Sequence, residues 1–327
     1  MKVLITGGGG FIGYRLARKL LERGTLAGAD GAQQPIERIK LLDTAFPPRP
    51  DPRLVCVAGD LAAPGVIADA LEADTAAVFH LAAVVSAGAE ADFDLGYRVN
   101  LDGTRLLLEA CRRLARPPRL VFASSVAAFG GALPAVLDDS TTPNPQTSYG
   151  TQKVIGEYLV SDYSRKGFLD GRSLRLPTIV VRPGKPNLAA SSFASSIFRE
   201  PLNGVEASCP VPESTGIWLL SPRRVVDAFV HAHDLPQSAW GTSRVLNLPG
   251  ITVTVREGVA ALGRIAGERA AARVRFQLDD RINRIVQGWP VRFETPRALA
   301  LGFSADPDID TVLRDYVADE GIELPAA

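Results

Sequence analysis

The first thirteen residues constrain this chain most. Lys2–Thr6 is a short apolar run, Gly7-Gly8-Gly9-Gly10 follows at once, and Phe11–Glu22 then carries apolar residues at helical spacing up to Gly24. A buried strand that turns through glycines into a helix gathers free backbone N–H groups and the positive end of the helix dipole at one point. The spacing Gly7-x-x-Gly10-x-x-Gly13 permits a tight turn and the close approach of a pyrophosphate. A glycine run alone is weak evidence, because a flexible turn reads the same way. The strand before it and the helix after it point to a dinucleotide site. Gly7, Gly10, Phe11, Ile12 and Gly13 are the residues expected to meet the phosphates.

The same alternation continues. Ile39–Leu42, Leu54–Val57, Ala76–His80 and Leu120–Ala123 read as short buried strands. Helical patterns are expected over about 93–115 and 148–166, and a further strand over Ser173–Val180. Short apolar strands separated by helices imply right-handed crossovers and a parallel sheet covered on both faces. The second half is less regular. Ser221–Ala232 and Arg256–Gly267 read as helices and Val245–Leu248 as a strand, which returns the chain to the sheet. The expected division is therefore 1–183 plus 221–249 for the sheet domain, and 184–220 plus 250–327 for a smaller, discontinuous lobe.

Composition removes several classes of function. Thirty-six basic residues face 36 acidic ones, for a net charge of +0, which argues against a broad grip on nucleic acid. No apolar run has bilayer-spanning length. The amino terminus lacks the long apolar stretch of a signal peptide, so a cytoplasmic protein without a membrane partner is expected. Cys56, Cys111 and Cys209 are scattered and form neither a metal spacing nor a disulfide framework. His231 and His233 stand two apart with no acidic or cysteine partner, so no metal is expected.

Two aspartates follow strands at positions suited to the cofactor. Asp43 ends the second strand, where a carboxylate can bond both ribose hydroxyls and would repel the extra phosphate of NADP. It stands farther from Gly13 than usual, through an apparent insertion at Thr25–Pro35, and Arg38 and Lys40 lie close in sequence. Asp60, in Gly59-Asp60-Leu61, is placed to bond the adenine, although a turn or cap aspartate reads equally well there.

The chain has only six tyrosines and six lysines, so a Tyr-x-x-x-Lys pair is seldom met by chance. Tyr149-Gly150-Thr151-Gln152-Lys153 is such a pair, on one face of an expected helix. A lysine beside a tyrosine favours the phenolate and is expected to lower the tyrosine pKa from its ordinary value near 10, making Tyr149 a general base. Ser124 and Ser125 follow a buried strand at the carboxyl edge of the sheet, where open α/β sheets bind ligands.

Gly7–Gly13, Asp60-Leu61, His80-Leu81-Ala82-Ala83, Asn100, Ser125 and Tyr149/Lys153 together resemble the extended short-chain dehydrogenase/reductase superfamily over about residues 1–185. The resemblance implies a Rossmann-type, doubly wound α/β domain that binds NAD. It implies that Tyr149 takes a hydroxyl proton, that Lys153 supports it and bonds the nicotinamide ribose, and that Ser125 orients the reacting oxygen. Asn100 would support the active-site helix and a proton route. Leu61, Leu81, Ala82 and Ala83 would line the cofactor, and Pro177, Thr178 and Ile179 would hold its carboxamide. Phe129 departs from the family's tyrosine.

A finer likeness lies in Val84-Val85-Ser86, in Ala91–Asn100, in Arg182-Pro183-Gly184-Lys185-Pro186-Asn187 with Ser191-Ser192-Phe193, and in Arg199–Gly204. It is to family members that oxidise a four-carbon sugar acid at C2. A carboxylate substrate needs cationic or N–H partners, for which Arg182, Lys185 and Arg199 are candidates, with Ser86, Asn187 and Ser191 for hydroxyls. A nucleotide-sugar epimerase is the alternative on the same fold. A dehydratase is disfavoured, since Val126 and Ala127 occupy the positions of its acid residues. A noncatalytic NAD-sensing protein is disfavoured by the intact Ser125, Tyr149 and Lys153. The resemblance further implies a homodimer packed through the helices near 93–115 and 148–166.

Overall fold

The structure, a computed structural model, describes residues 1–48, 51–184 and 190–324. It divides into two compact units. The first comprises Met1–Ala128, Pro145–Arg175 and Val226–Asn247; the second comprises Phe129–Asn144, Leu176–Val225 and Leu248–Ala327.

The sheet of the first unit has seven strands: β1 (Lys2–Thr6), β2 (Arg38–Asp43), β3 (Leu54–Ala58), β4 (Thr75–His80), β5 (Arg119–Ser125), β6 (Asp170–Leu176) and β7 (Val245–Asn247). Their spatial order is β7-β6-β5-β4-β1-β2-β3, and the paired strands run parallel. Order reverses between β1 and β4, and a crevice opens at the carboxyl ends of strands on either side of such a reversal. Val3–Thr6 of β1 are all buried, as expected of a strand covered on both faces. Helix α1 (Phe11–Arg23) buries Gly13, Leu16, Ala17 and Leu20, one stripe at helical spacing, and ends at Gly24 in the left-handed conformation. The Thr25–Pro35 insertion forms a small antiparallel hairpin.

Between β4 and β5 the expected long helix is segmented. A turn at Phe93–Gly96 leads into a π-helical stretch, Tyr97–Gly103, and then into α2 (Thr104–Arg112). Helix α3 (Ser148–Arg165) follows β5. Leu4, Val78, Leu107, Leu120, Phe122 and Val160 make the core between the sheet and these helices. Helix α3 lies unusually close to β5. A Cβ on Gly156 would stand 2.7 Å from the Phe122 ring, and one on Gly150 would stand 2.1 Å from the Ala127 carbonyl oxygen.

Helix α4 (Pro222–Asp234) runs two residues further at its carboxyl end than its pattern predicts. Its last carbonyls are bonded by buried arginines of the sheet: Arg119 reaches His233 O at 2.7 Å and Arg172 reaches His233 O at 2.8 Å and Ala232 O. Asp170 takes ion pairs from Arg119, Arg172 and Arg244.

The division differs from the expected one in four places, of which the short boundary stretches 221–225 and 248–249 simply fall to the second unit. The expected strand over Ser173–Val180 is broken by Pro177, which cannot continue the ladder. β6 ends at Leu176, and Thr178–Ile179 pairs instead with Gly216–Leu220 in a three-stranded sheet completed by Ile251–Thr254. Residues 176–183 therefore belong to the second unit. Residues 129–144 join it as well, because the Phe129 ring packs edge-on against Phe293, and Leu137 bridges to Phe293. The core of the second unit is built on the helices Phe193–Leu202, Val255–Ala266 and Ile309–Glu320. Asp279 caps the helix Asp280–Gln287 by accepting from Arg281 N and Ile282 N.

Candidate active site

The glycine turn forms a cradle that side chains would block. Gly7 has a positive φ of 72°, and a Cβ there would lie 2.7 Å from Ala82 N; one on Gly9 would lie 1.9 Å from Ala45 O. At Gly10 the nearest such atom, the Gly7 carbonyl oxygen, is 3.2 Å away, a tight contact without the overlap found at Gly9. Gly10 caps α1 with no side-chain bond, and no acidic residue stands in the first turn of that helix. The N–H groups around Phe11 and Ile12 are left to an anion. Beside the apex, Asp43 accepts from Gly9 N at 3.0 Å and Thr44 N at 2.7 Å. Oδ1 accepts also from Thr44 Oγ1 at 3.4 Å, and Oδ2 retains a lone pair for a ribose hydroxyl. Arg38 and Lys40, the basic residues near it in sequence, are both paired with Glu72. The donor set thus fits NAD.

Asp60 accepts from Ala62 N at 2.9 Å and is ion-paired with Arg98. Burial pushes its pKa up, but Arg98 and the Ala62 N–H outweigh this and hold it below the usual carboxylate value. Arg98 is a neighbour that the sequence reading missed. Leu61 is buried. Leu81 N donates to Thr6 O at 3.0 Å, and Ala82 N to Thr6 Oγ1 at 3.4 Å; Ala83 follows them half-buried.

Asn100 is a clamp. Its Oδ1 accepts from Val84 N at 2.7 Å, and its Nδ2 donates to Val84 O at 2.9 Å and to Gln152 Oε1 at 2.7 Å. The Val84 backbone fixes which way round this amide sits. Every polar atom of the side chain is engaged, so it ties the loop after β4 to α3 and is a positioning residue. It sits in the π-helical stretch, a feature frequent at functional sites. The buried His80 bridges Thr6 Oγ1 at 2.6 Å and Thr104 Oγ1 at 2.8 Å, and Thr104 Oγ1 donates to Asn100 O at 2.6 Å. Because Thr104 gives its proton to Asn100, His80 Nε2 must be the donor and Nδ1 the acceptor.

Ser125, Tyr149 and Lys153 come together at the carboxyl end of β5. The Ser125 hydroxyl is hydrogen-bonded to the Tyr149 phenol and accepts from Ala127 N at 3.1 Å. Lys153 Nζ donates to Ala123 O at 2.8 Å and lies 5.5 Å from the centroid of the Tyr149 ring. Ser124 instead donates to Glu157 Oε1 at 2.5 Å, one helical turn beyond Lys153. The direction of the tyrosine shift corrects the expectation. Burial pushes the phenol up to about 12, with the Ser125 hydrogen bond opposing it. Burial also brings Lys153 down to about 8, with Glu157 opposing. The reason is geometric: the ammonium is spent on the Ala123 carbonyl and lies against the ring, and enclosure penalises both charged forms.

Ser86 opens the helix Ser86–Ala91 in the same unit. The other expected substrate contacts lie in the second unit. Arg182 is exposed, and its N–H donates to Ser195 Oγ at 3.0 Å. Arg199 is buried and spent internally, on Arg182 O at 2.8 Å and Glu200 Oε1 at 2.6 Å. Ser191 lies in the turn Ala190–Ser192. Pro177, Thr178 and Ile179 precede and form the short strand of the three-stranded sheet. Lys185 and Asn187 lie outside the described residues. Among the described residues no group of three or more His, Cys, Asp or Glu side chains is placed to hold a metal, and no helix is long and apolar enough to cross a membrane.

Comparison with known proteins covers the whole chain. Residues 3–238 match the model of the NAD dependent epimerase/dehydratase family. A D-erythronate dehydrogenase of Cupriavidus necator is 56% identical over 98% of this chain and 99% of its own length. One of Haemophilus influenzae is 46% identical over 97% of this chain and 99% of its own. A crystal structure described as the nucleoside-diphosphate-sugar epimerase from Agrobacterium tumefaciens superposes with a TM-score of 0.93 at 44% identity, over 99% of this chain and 96% of that one.

Proposed function

Because the chain belongs to the NAD dependent epimerase/dehydratase family, we propose that it is an NAD-dependent dehydrogenase that oxidises the C2 hydroxyl of D-erythronate to 2-dehydro-D-erythronate. The observation that carries this reading is its end-to-end likeness to two D-erythronate dehydrogenases. The arrangement of Ser125, Tyr149 and Lys153 supports it chemically. NAD, when bound, accepts the C2 hydride and brings the positive charge of its nicotinamide ring. Tyr149 takes the hydroxyl proton, and Ser125, already bonded to the phenol, orients the reacting oxygen. Lys153 supplies the fixed positive charge that favours the phenolate. Asn100 and His80 hold the loop after β4 in place. The glycine cradle with Gly10, Phe11, Ile12 and Gly13 takes the pyrophosphate, Asp43 the ribose and Asp60 the adenine.

For the substrate carboxylate we assign Arg182, whose backbone Arg199 secures. Losing one charge-assisted contact costs about 1.5–3 kcal/mol, so Arg182→Ala should raise KM for D-erythronate by about tenfold or more. An unchanged KM would remove Arg182 from this role.

The likeness to a structure described as an epimerase keeps one alternative in view. Incubation with NAD and D-erythronate, or with nucleotide sugars, separates the two. Net NADH formation with D-erythronate supports the dehydrogenase. Turnover of nucleotide sugars alone, without net NADH, would overturn it. Tyr149→Phe should lower the rate by about 10²–10⁴-fold; an undiminished rate would contradict the assignment of the base.

We further read the protein as a homodimer through α2 and α3, whose Leu106 and Tyr158 are exposed. Tyr158→Glu should then shift the sedimentation coefficient to that of a monomer. Its three cysteines are free thiols, which suits a reducing compartment, and we assign it to the cytoplasm.

A further inference from the structure

The last three residues of β5 engage three residues of α3 that stand four apart. Ser125 bonds Tyr149, Ala123 O accepts from Lys153 Nζ at 2.8 Å, and Ser124 Oγ donates to Glu157 Oε1 at 2.5 Å. Residues i, i+4 and i+8 share one helix face. Two rungs of this ladder are the base and its lysine. The third, Glu157, has no part in the chemistry described above.

Glu157 is 2% exposed. Besides Ser124, its carboxylate accepts from Arg175 Nε at 2.8 Å and Arg175 Nη2 at 2.7 Å. The guanidinium also reaches Asn247 Oδ1 on β7 at 3.4 Å. A buried ion pair is a poor stabilising device, since apolar residues of similar volume often serve as well or better. Its position therefore calls for another explanation, and that position is one helical turn from Lys153.

We propose that Glu157, fixed by Arg175 and Ser124, is a positioning residue that keeps Lys153 cationic and through it sets the ionisation of Tyr149. The inference rests on the dehydrogenase reading for its consequence in catalysis, although not for the charge of Lys153 itself. The surroundings of Lys153 offer little else to hold a proton there. From β5 come the neutral Ala123 carbonyl and the Phe122 ring, 4.9 Å from Nζ to centroid. From β4 comes His80, which burial brings down to about 3, with Lys153 adding to the effect; it is neutral. From β6 comes Arg175, a like charge paired with the Glu157 carboxylate. From α3 come Tyr149 and Glu157. Glu157 supplies the one negative charge in this set, and it acts against the burial that favours a neutral amine.

The test replaces the charge and keeps the shape, with Glu157→Gln. The chain has six lysines, so ¹³Cε-lysine labelling gives few resonances, and comparison with Lys153→Arg identifies that of Lys153. In Glu157→Gln the midpoint of this resonance should fall by about one pH unit or more. The high-pH limb of kcat for D-erythronate oxidation should move down by the same amount, with KM for NAD changed less than about twofold. Ser124→Ala keeps the carboxylate and should leave the midpoint where it is. If Glu157→Gln folds poorly because Arg175 is stranded, Glu157→Gln with Arg175→Gln removes both charges, and the midpoint should still fall. An unmoved Lys153 midpoint in either glutamate variant overturns the inference. A wild-type protein that forms no NADH from D-erythronate at any pH overturns the functional reading instead, and the lysine titration still decides this one.

Discussion

An ideal Cβ on Gly9 would lie 1.9 Å from the Ala45 carbonyl oxygen, a clash with backbone that no side-chain rotation relieves. Gly9→Ala should therefore cost about 2–3 kcal/mol of unfolding free energy and displace the turn, with loss of NAD binding by calorimetry. Gly10→Ala meets the Gly7 carbonyl oxygen at 3.2 Å at an ordinary φ of -74°, and should cost clearly less than Gly9→Ala. Equal stability of the two variants would contradict the cradle as described. At this scale the sequence was readable where the backbone admits one residue type, as at Gly7 and Gly13, and where helical spacing brings two side chains to one face, as at Tyr149/Lys153. It was not readable where a side chain's role depends on direction. Ser124 and Ser125 are adjacent and chemically alike, and the sequence does not say that one meets Glu157 and the other Tyr149. Arg199 likewise reads as a free cation in the sequence and is spent on Arg182 O and Glu200 in the fold.

Among the elements, the junction of β1, β4 and the π-helical stretch depends on one neutral imidazole. His80, with its pKa brought down to about 3 by burial, cannot take a proton in the native state above that value. The unfolded chain binds one at ordinary histidine pKa. The stability this contributes is full above the unfolded pKa of about 6.5 and is lost as pH falls towards the folded one. From about pH 7 to about pH 5 the loss is about 2 kcal/mol for this group. His80→Asn should fold less stably at neutral pH but lose about 2 kcal/mol less over that interval in urea titrations. An equal loss in both proteins would show that His80 is not held neutral. The strands of this sheet were legible because each is an apolar run bounded by a helix or a turn. The π-helical segment was not, since Tyr97–Gly103 is continuous in periodicity with α2 and the departure is enforced by tertiary bonds at Asn100 and Thr104.

For the whole molecule, the return of the chain to the sheet matters most. The arginines Arg119 and Arg172 are 8% and 0% exposed, and both bond carbonyls at the end of α4. A fragment of residues 1–225 lacks that helix end and β7, and would leave two buried cations without the α4 carbonyls, with one carboxylate, Asp170, between them, and the edge of β6 bare. Such a fragment should be recovered unfolded or aggregated, with no cooperative transition by circular dichroism. A soluble, cooperatively folding fragment would contradict this account. The discontinuous layout was legible from Ser221–Leu248, where a helix and a strand suited to the sheet recur after the irregular stretch. The allotment of residues 129–144 was not, because it depends on Phe129 and Leu137 meeting Phe293, more than 150 residues away in sequence. The break at Pro177 was visible as a residue, and its effect follows from the missing N–H.

The central claim is that hydride leaves C2 of D-erythronate for NAD with net turnover, and deuterium at that carbon follows it. With D-erythronate deuterated at C2, the account predicts stoichiometric NADH carrying the label, a slower rate than with the unlabelled acid, and loss of both in Tyr149→Phe. Label retained in the sugar acid with no net NADH, while a nucleotide sugar is epimerised by the same preparation, would contradict it.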